Sequence, residues 1–339
     1  MKIDASASAE LRKVGYEASR LEAIGYDGVK IAELNHDPFL SLTLAAEHTD
    51  RVELMTSVAV AFARNPMSLS LSAHDLNAFS QGRFVLGLGS QVKPHIERRF
   101  SMPWYKAAAQ MREFIEAMHA IYACWYEGER LAFEGDYYRH TLMPATFTPQ
   151  DTSAGRPRIF LSATGPLMTK VAAEITDGMI MHPFSTERYI REVTLPAIEQ
   201  GLAATGRTLN GFELDYAPII ATGATEEALK RSVAAARDRI AFYGSTLAYR
   251  PVLDLHGWGE LQEALNALNK REQKAEMASL IDDEVLHTIA IVGEPAVVVD
   301  AMRARLGDVI SRTGFTVPGL NDAEHAELLA RLKESSPQV

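Results

Sequence analysis

The sequence predicts a closed (β/α)8 barrel, and three observations lead there. Short β-rich runs alternate with amphipathic runs eight times within 339 residues, the rhythm of such a barrel. The first strand-to-helix turn reads Asp4-Ala5-Ser6-Ala7-Ser8 and lacks glycine, whereas a doubly wound open sheet carries its phosphate fingerprint there. No composition shift, internal repeat or low-complexity stretch marks a boundary, so residues 1–339 read as a single domain.

Each element has its own signal. Residues 1–5 form the first strand. Leu11, Val14, Ala18, Leu21 and Ile24 then line one face of a helix that Gly25 closes. GVKIAE at 28–33 and VELMTSV at 52–58 are strands two and three, with Pro38 opening the helix between them. Pro66 opens the next helix, Gln81-Gly82 ends it, and RFVLGLG at 83–89 is strand four. Met111, Phe114, Ile115, Met118, Ile121, Tyr122 and Trp125 mark a long amphipathic helix, with Cys124 beside the stripe. Strands five to eight fall at 158–162, 178–181, 212–221 and 307–315, and Thr225 caps the helix after strand seven. Two insertions interrupt the alternation: a hairpin and polar loop at 127–157, and an aromatic-containing stretch at 241–292. In a barrel, long insertions after strand ends sit over the mouth. KESSPQV reads as a polar tail.

Composition narrows the function classes. Thirty-four Lys and Arg against 44 Asp and Glu give a net charge of −10, which disfavours nucleic acid and anionic membranes as partners. Cys124 is the single cysteine, so no disulfide forms within the chain and no thiolate-rich metal site is available. The N-terminal stretch lacks a signal peptide's apolar core, and no apolar run reaches membrane-spanning length. A cytoplasmic protein acting on a small molecule is expected. A metal-dependent hydrolase is disfavoured, because the first strand has no paired histidines and HExxH is absent. A Schiff-base lysine is expected to be buried with a depressed pKa. Lys30 in strand two is the residue to weigh, and it is expected to snorkel or pair with an acid.

Three strand ends stand out. After strand five, Ser162-Ala163-Thr164-Gly165-Pro166 is small and opens a helix, which suits a phosphate held by backbone amides and equally suits a plain N-cap. Gly87-Leu88-Gly89-Ser90-Gln91 fails as a dinucleotide fingerprint, since Val92 stands where a third glycine is needed. It leaves room for a flat ring or a phosphate. TSVAVAFARNP at 56–66 leaves space at the barrel top, with Arg64 facing either an anion or solvent.

Taken in order, Gly25-Tyr26-Asp27-Gly28, TSVAVAFARNP, GRFVLGLGS, FEGDYYR at 133–139 and LSATGPLMTKVAAEITDG at 161–178 resemble the luciferase-like oxidoreductase superfamily, in its coenzyme F420-dependent branch. The likeness covers residues 1–200 best. It implies a (β/α)8 barrel binding its cofactor at the C-terminal strand ends, and often a homodimer. It places the cofactor phosphate at Ala163, Thr164 and Gly165, a cis peptide behind the ring at Ser57-Val58, and a cofactor-lining side chain at Ser90. The family's acid–histidine pair after strand two maps onto Glu33 by spacing and onto His36 by type, while Gln91 and Val92 replace an acid near strand four. His36 also has a physical case, because an imidazole titrating near neutrality can protonate a substrate oxygen. His182 and His95, both just past strand ends, are the reserves.

The resemblance implies hydride transfer between the deazaflavin F420 and a carbonyl, alcohol or activated double bond. The alternatives are a flavin mononucleotide (FMN) monooxygenase and a binding protein that has lost turnover.

Overall fold

The computed structural model describes residues 1–334, so the last five residues of the expected polar tail lie outside the described residues. Eight parallel strands close into a barrel: β1 (Lys2–Ser6), β2 (Gly28–Ile31), β3 (Glu53–Thr56), β4 (Phe84–Gly89), β5 (Arg158–Ala163), β6 (Gly178–Met181), β7 (Glu213–Tyr216) and β8 (Arg312–Gly314). Neighbours pair in the order β3-β2-β1-β8-β7-β6-β5-β4, and β3 pairing with β4 completes the ring. The helices that follow the strands are α1 (Val14–Ile24), α2 (Pro38–Glu47), α3 (Pro66–Phe79), α4 (Ala107–Tyr122), α5 (Pro166–Ile175), α6 (Leu195–Ala204), α7 (Pro295–Leu306) and α8 (Asp322–Lys333).

Sequence punctuation sets these boundaries. Gly25 closes α1 with φ 107°. Asp37 and Asn65 cap α2 and α3 by accepting from backbone N–H groups, each just ahead of a proline at the first helical position. The main core lies between barrel and helices, where Ile3, Val29, Leu54, Leu86, Ile159 and Leu214 meet helical residues such as Val14, Leu42, Met118 and Val299.

The lumen is unusual in being charged. Odd strands supply it in tiers two residues apart. Lys2, Glu53, Arg158 and Glu213 form the lowest tier, and Lys2 and Arg158 each bridge both glutamates. The next tier is Asp4, Met55, Phe160 and Asp215. Between the tiers Arg312 reaches Asp4 at 2.6 Å and Glu53 at 2.6 Å, and Lys30 reaches Asp4 at 2.8 Å and Asp215 at 2.6 Å. Gly28 makes the room, since a Cβ there would lie 2.3 Å from the Asp4 carboxylate. Four carboxylates (Asp4, Glu53, Glu213, Asp215) thus meet four cations (Lys2, Lys30, Arg158, Arg312), and burial is tolerable because the charges cancel.

Two expectations change. The seventh strand, expected over 212–221, stops at Tyr216, because Pro218 has no N–H to donate to the ladder. Ile219–Ala221 instead pairs with Ala290–Val292, a three-residue strand too short to read in sequence. The second insertion therefore begins earlier than residue 241. The Thr225-capped helix Glu226–Gly244 belongs to it and shares a core of its own with Arg250–Leu255, Gly259–Asn269, Lys274–Ser279 and Asp283–Ile289. The first insertion has the expected hairpin, Phe133–Glu134 against Arg139–His140. Glu113 of α4 accepts from the N–H groups of Asp136, Tyr137 and Tyr138, which accounts for FEGDYYR as a folding motif.

Candidate functional site

Two residues above the charged tiers, the same odd strands reach Ser6, Ser57, Ser162 and Ala217, and these floor a cavity of about 260 Å³ at the C-terminal mouth. Lys30, Asp4 and Asp215 show through this floor, and His182 forms part of its wall. On one side the cavity shares Met181 and His182 with a chamber of about 320 Å³ beside the Ala163–Gly165 turn. On the other it shares Ser6, Lys30 and Ser57 with a cavity of about 410 Å³ that holds Asn35 and His36. The three cavities thus adjoin through shared wall residues in a row across the barrel top, a cleft with the amide-rich turn at one end and His36 at the other.

The bulge after β3 shapes the middle of the cleft. The Ser57–Val58 peptide bond is cis, and both residues line the central cavity. Strand β4 yields space to it. A Cβ on Gly87 would lie 2.0 Å from the Thr56 carbonyl oxygen, and one on Gly89 would lie 2.5 Å from Val58 Cγ2. The room that GLG offers is thus filled from β3, not by a phosphate. Glu33 braces the bulge from β2: its N–H donates to the Val58 carbonyl, and its carboxylate accepts from Val60 N–H at 2.8 Å and from Arg64 at 2.5 Å. Arg64 also pairs with Asp37. Glu33 lines none of the three cavities, and Arg64 is held between Glu33 and Asp37.

At the other end, Gly165 has φ 78°, a conformation open mainly to glycine, and it turns the chain directly into Pro166 of α5. No side chain caps this helix. Its first amides and positive end therefore face the chamber rim without an internal acceptor, while Ala163 is buried and Thr164 exposed. Ser90 lies apart, its hydroxyl donating to the Gln91 carbonyl, and it lines none of the three cavities. His95 is exposed on the short helix Lys93–Arg98, also outside the cleft.

The ionisable groups divide sharply. His36 is exposed and forms no hydrogen bond with any described residue, while neighbouring Asp37 is engaged in capping α2 and pairing with Arg64. Burial alone would raise the Asp4 carboxyl, but Lys30 and Arg312 outweigh it and hold it below the usual range. Burial would likewise lower the Lys30 ammonium, but Asp215 and Asp4 reverse that and hold it up. A lysine kept charged is no Schiff-base nucleophile. His182 behaves oppositely: burial, with Arg239 nearby, pushes its pKa down to about 4. Its ring stacks on Tyr249 at 4.2 Å between centroids and meets the edge of Tyr243 at 4.6 Å.

The serines of the upper tier escaped the sequence reading, although counting by two from Asp4, Met55 and Phe160 to the strand ends finds them. The tyrosines that clamp His182 lie in the aromatic stretch expected over the mouth, but no local pattern tied them to His182. Among the described residues no group of His, Cys, Asp and Glu is placed to hold a metal ion, and no helix is long and apolar enough to cross a membrane.

Comparison with known proteins follows the same lines. The model of the luciferase-like monooxygenase family matches residues 2–311. An uncharacterized protein of Mycobacterium tuberculosis is 46% identical over 312 residues, covering 92% of each chain. A 5,10-methylenetetrahydromethanopterin reductase of Methanolobus tindarius is 27% identical over 88% of this chain and 86% of its own. Among solved structures, the coenzyme F420-dependent tetrahydromethanopterin reductase of Methanopyrus kandleri superposes with a TM-score of 0.76. The two chains share 21% identity, and 97% of this one and 96% of that one are covered.

Proposed function

The chain belongs to the luciferase-like monooxygenase family, and from that premise we propose that it is an oxidoreductase using the deazaflavin coenzyme F420. Its substrate is a small organic carbonyl, alcohol or activated double bond. The observation that carries this reading is the row of adjoining cavities, with uncapped helix amides at one end, a middle cavity of about 260 Å³ against the Ser57–Val58 bulge, and an unengaged imidazole at the far end. The relative that is a methylenetetrahydromethanopterin reductase supports a reductive chemistry.

When bound, the deazaflavin supplies or accepts the hydride. The chain's own residues do the rest. The amides at Thr164 and Gly165, with the positive end of α5, hold the cofactor phosphate. Ser57 and Val58 back the ring, and Glu33 and Arg64 keep that backing in place. His36 would hold the proton that a substrate oxygen takes up on reduction, and would receive it in the reverse direction.

The test is a pair of binding titrations of the whole chain, one with coenzyme F420 and one with FMN. Tight binding of the deazaflavin alone is expected. Preference for FMN would move the reading to an oxygen-activating monooxygenase, and binding of neither would leave a barrel that has lost turnover. A homodimer in the cytoplasm is the accompanying proposal, checked by light scattering and by cell fractionation.

A further inference from the structure

His182 is clamped in a way that no proton shuttle needs. Its Nδ1 accepts a hydrogen bond from the Phe184 N–H at 3.1 Å. A nitrogen that accepts carries no proton, so in the neutral ring the proton sits on Nε2. Tyr249 stacks on one face and Tyr243 stands nearly perpendicular to the ring, restricting the direction in which Nε2 points. That nitrogen bonds to no described residue and is not sealed away. The residue forms part of the wall shared by the central cavity and the side chamber.

The charges around the ring favour the neutral form. Helix Glu226–Gly244 brings Arg239 and Tyr243 to it, the turn Leu247–Tyr249 brings Tyr249, and the lumen side brings the mutually paired Lys30, Asp4 and Asp215. The side chamber itself is lined by no Asp, Glu, Lys or Arg.

We propose that His182 is a fixed, uncharged N–H donor of the cleft, selecting an uncharged carbonyl oxygen on the bound ligand. This rests on the oxidoreductase reading for the identity of that ligand, though not for the state of the ring. A carbonyl is the acceptor such a donor suits: it needs no counter-charge, and its oxygen gains negative charge as hydride reaches the carbon or as the ring is reduced. A neutral histidine polarising a carbonyl has precedent in triosephosphate isomerase. Either a ring carbonyl of the cofactor or the substrate's carbonyl supplies the oxygen, and the experiment separates them.

The first arm follows the 15N-histidine-labelled chain by NMR from pH 5 to 8 with no cofactor present. His182 is expected to keep its proton on Nε2 throughout; a proton on Nδ1, or titration inside that window, overturns the proposal. The second arm compares His182→Phe, which keeps a ring between the tyrosines, with His182→Gln, which keeps an N–H. The probes are coenzyme F420, FMN and, for turnover, cyclohexanone. About tenfold loss in the Phe variant and recovery in the Gln variant are expected. Loss of F420 or FMN affinity identifies a ring carbonyl. Loss of kcat/KM for cyclohexanone with cofactor affinity intact identifies the substrate. Changes within about twofold on every probe that the wild-type chain takes overturn the proposal. A chain that binds neither cofactor sinks the oxidoreductase reading, while the NMR arm still decides the state of His182.

Discussion

The lower and upper lumen are built by the same strands and behave as opposites. Below, Lys2, Asp4, Lys30, Glu53, Arg158, Glu213, Asp215 and Arg312 satisfy one another in pairs and bridges. Above, Ser6, Ser57 and Ser162 present short hydroxyls to open space, and the nearest histidine is kept uncharged. Two residues of rise separate the regimes. The lower charges tie neighbouring strands together and are engaged chiefly with one another. The upper tier contributes little to cohesion and leaves its hydrogen bonds to whatever binds. A barrel can thus place stability and recognition on one set of strands by changing only what stands at each successive inward position.

The strongest way to break the contrast is to unbalance the lower lumen. Lys30→Ala strands Asp4 and Asp215 with too little positive charge, and is expected to cost about 3–5 kcal/mol in denaturant unfolding. A substitution in the upper tier such as Ser162→Ala is expected to stay within about 0.5 kcal/mol by the same measurement.

His182 tests the boundary between the two. Its folded pKa of about 4 lies below the ordinary 6.5, so the unfolded chain binds its proton first as pH falls. The resulting stability is complete above about pH 6.5 and is lost as pH drops towards 4. The difference approaches on the order of 3 kcal/mol. Across pH 8 to 4 the wild type should therefore lose that amount of stability relative to His182→Phe, whichever is the more stable at pH 8. Parallel curves would mean the imidazole is not sequestered as its surroundings indicate.

Smaller effects sharpen the upper half. His36→Ala should slow turnover about a hundredfold with cofactor affinity unchanged, read by steady-state kinetics beside a binding titration. Thr164→Asp should weaken cofactor affinity about tenfold or more by placing a carboxylate against the phosphate, with the unfolding midpoint unmoved. Unchanged affinity would remove the phosphate from that turn.

Legibility followed the range of each physical signal. Period-two and period-3.6 patterns are local, so eight strands and their helices could be read, and Pro38, Pro66 and Pro166 marked helix starts within a residue. The cis bond at Ser57–Val58 was expected from the resemblance and is present. Glu33 illustrates the limit. Its distance from strand two suggested chemistry, yet its partners Val60 and Arg64 lie some thirty residues on and meet it only when the barrel closes. The charged lumen was hidden for the same reason, since Asp4, Lys30 and Asp215 look like three unrelated polar residues until β1, β2 and β7 surround one axis. The ribbon of Ile219–Ala221 with Ala290–Val292 left almost no local trace, being three residues on each side.

That ribbon has a consequence for how this molecule can vary. It staples the entrance and exit of the large insertion side by side, so the barrel experiences the whole excursion as a short connection between β7 and α7. Lengthening or rewriting the enclosed chain then costs the barrel little, since loop closure grows only logarithmically with length. The insertion can drift as a unit so long as it keeps the contacts that seat it, such as Thr186 with His256 and Arg188 with the Leu255 carbonyl, and two of its residues, Tyr243 and Tyr249, also set the pose of His182. Relatives carrying different residues at those two places would inherit the same barrel and aim the same imidazole elsewhere, so new ligand preferences can arise without any change in the strands.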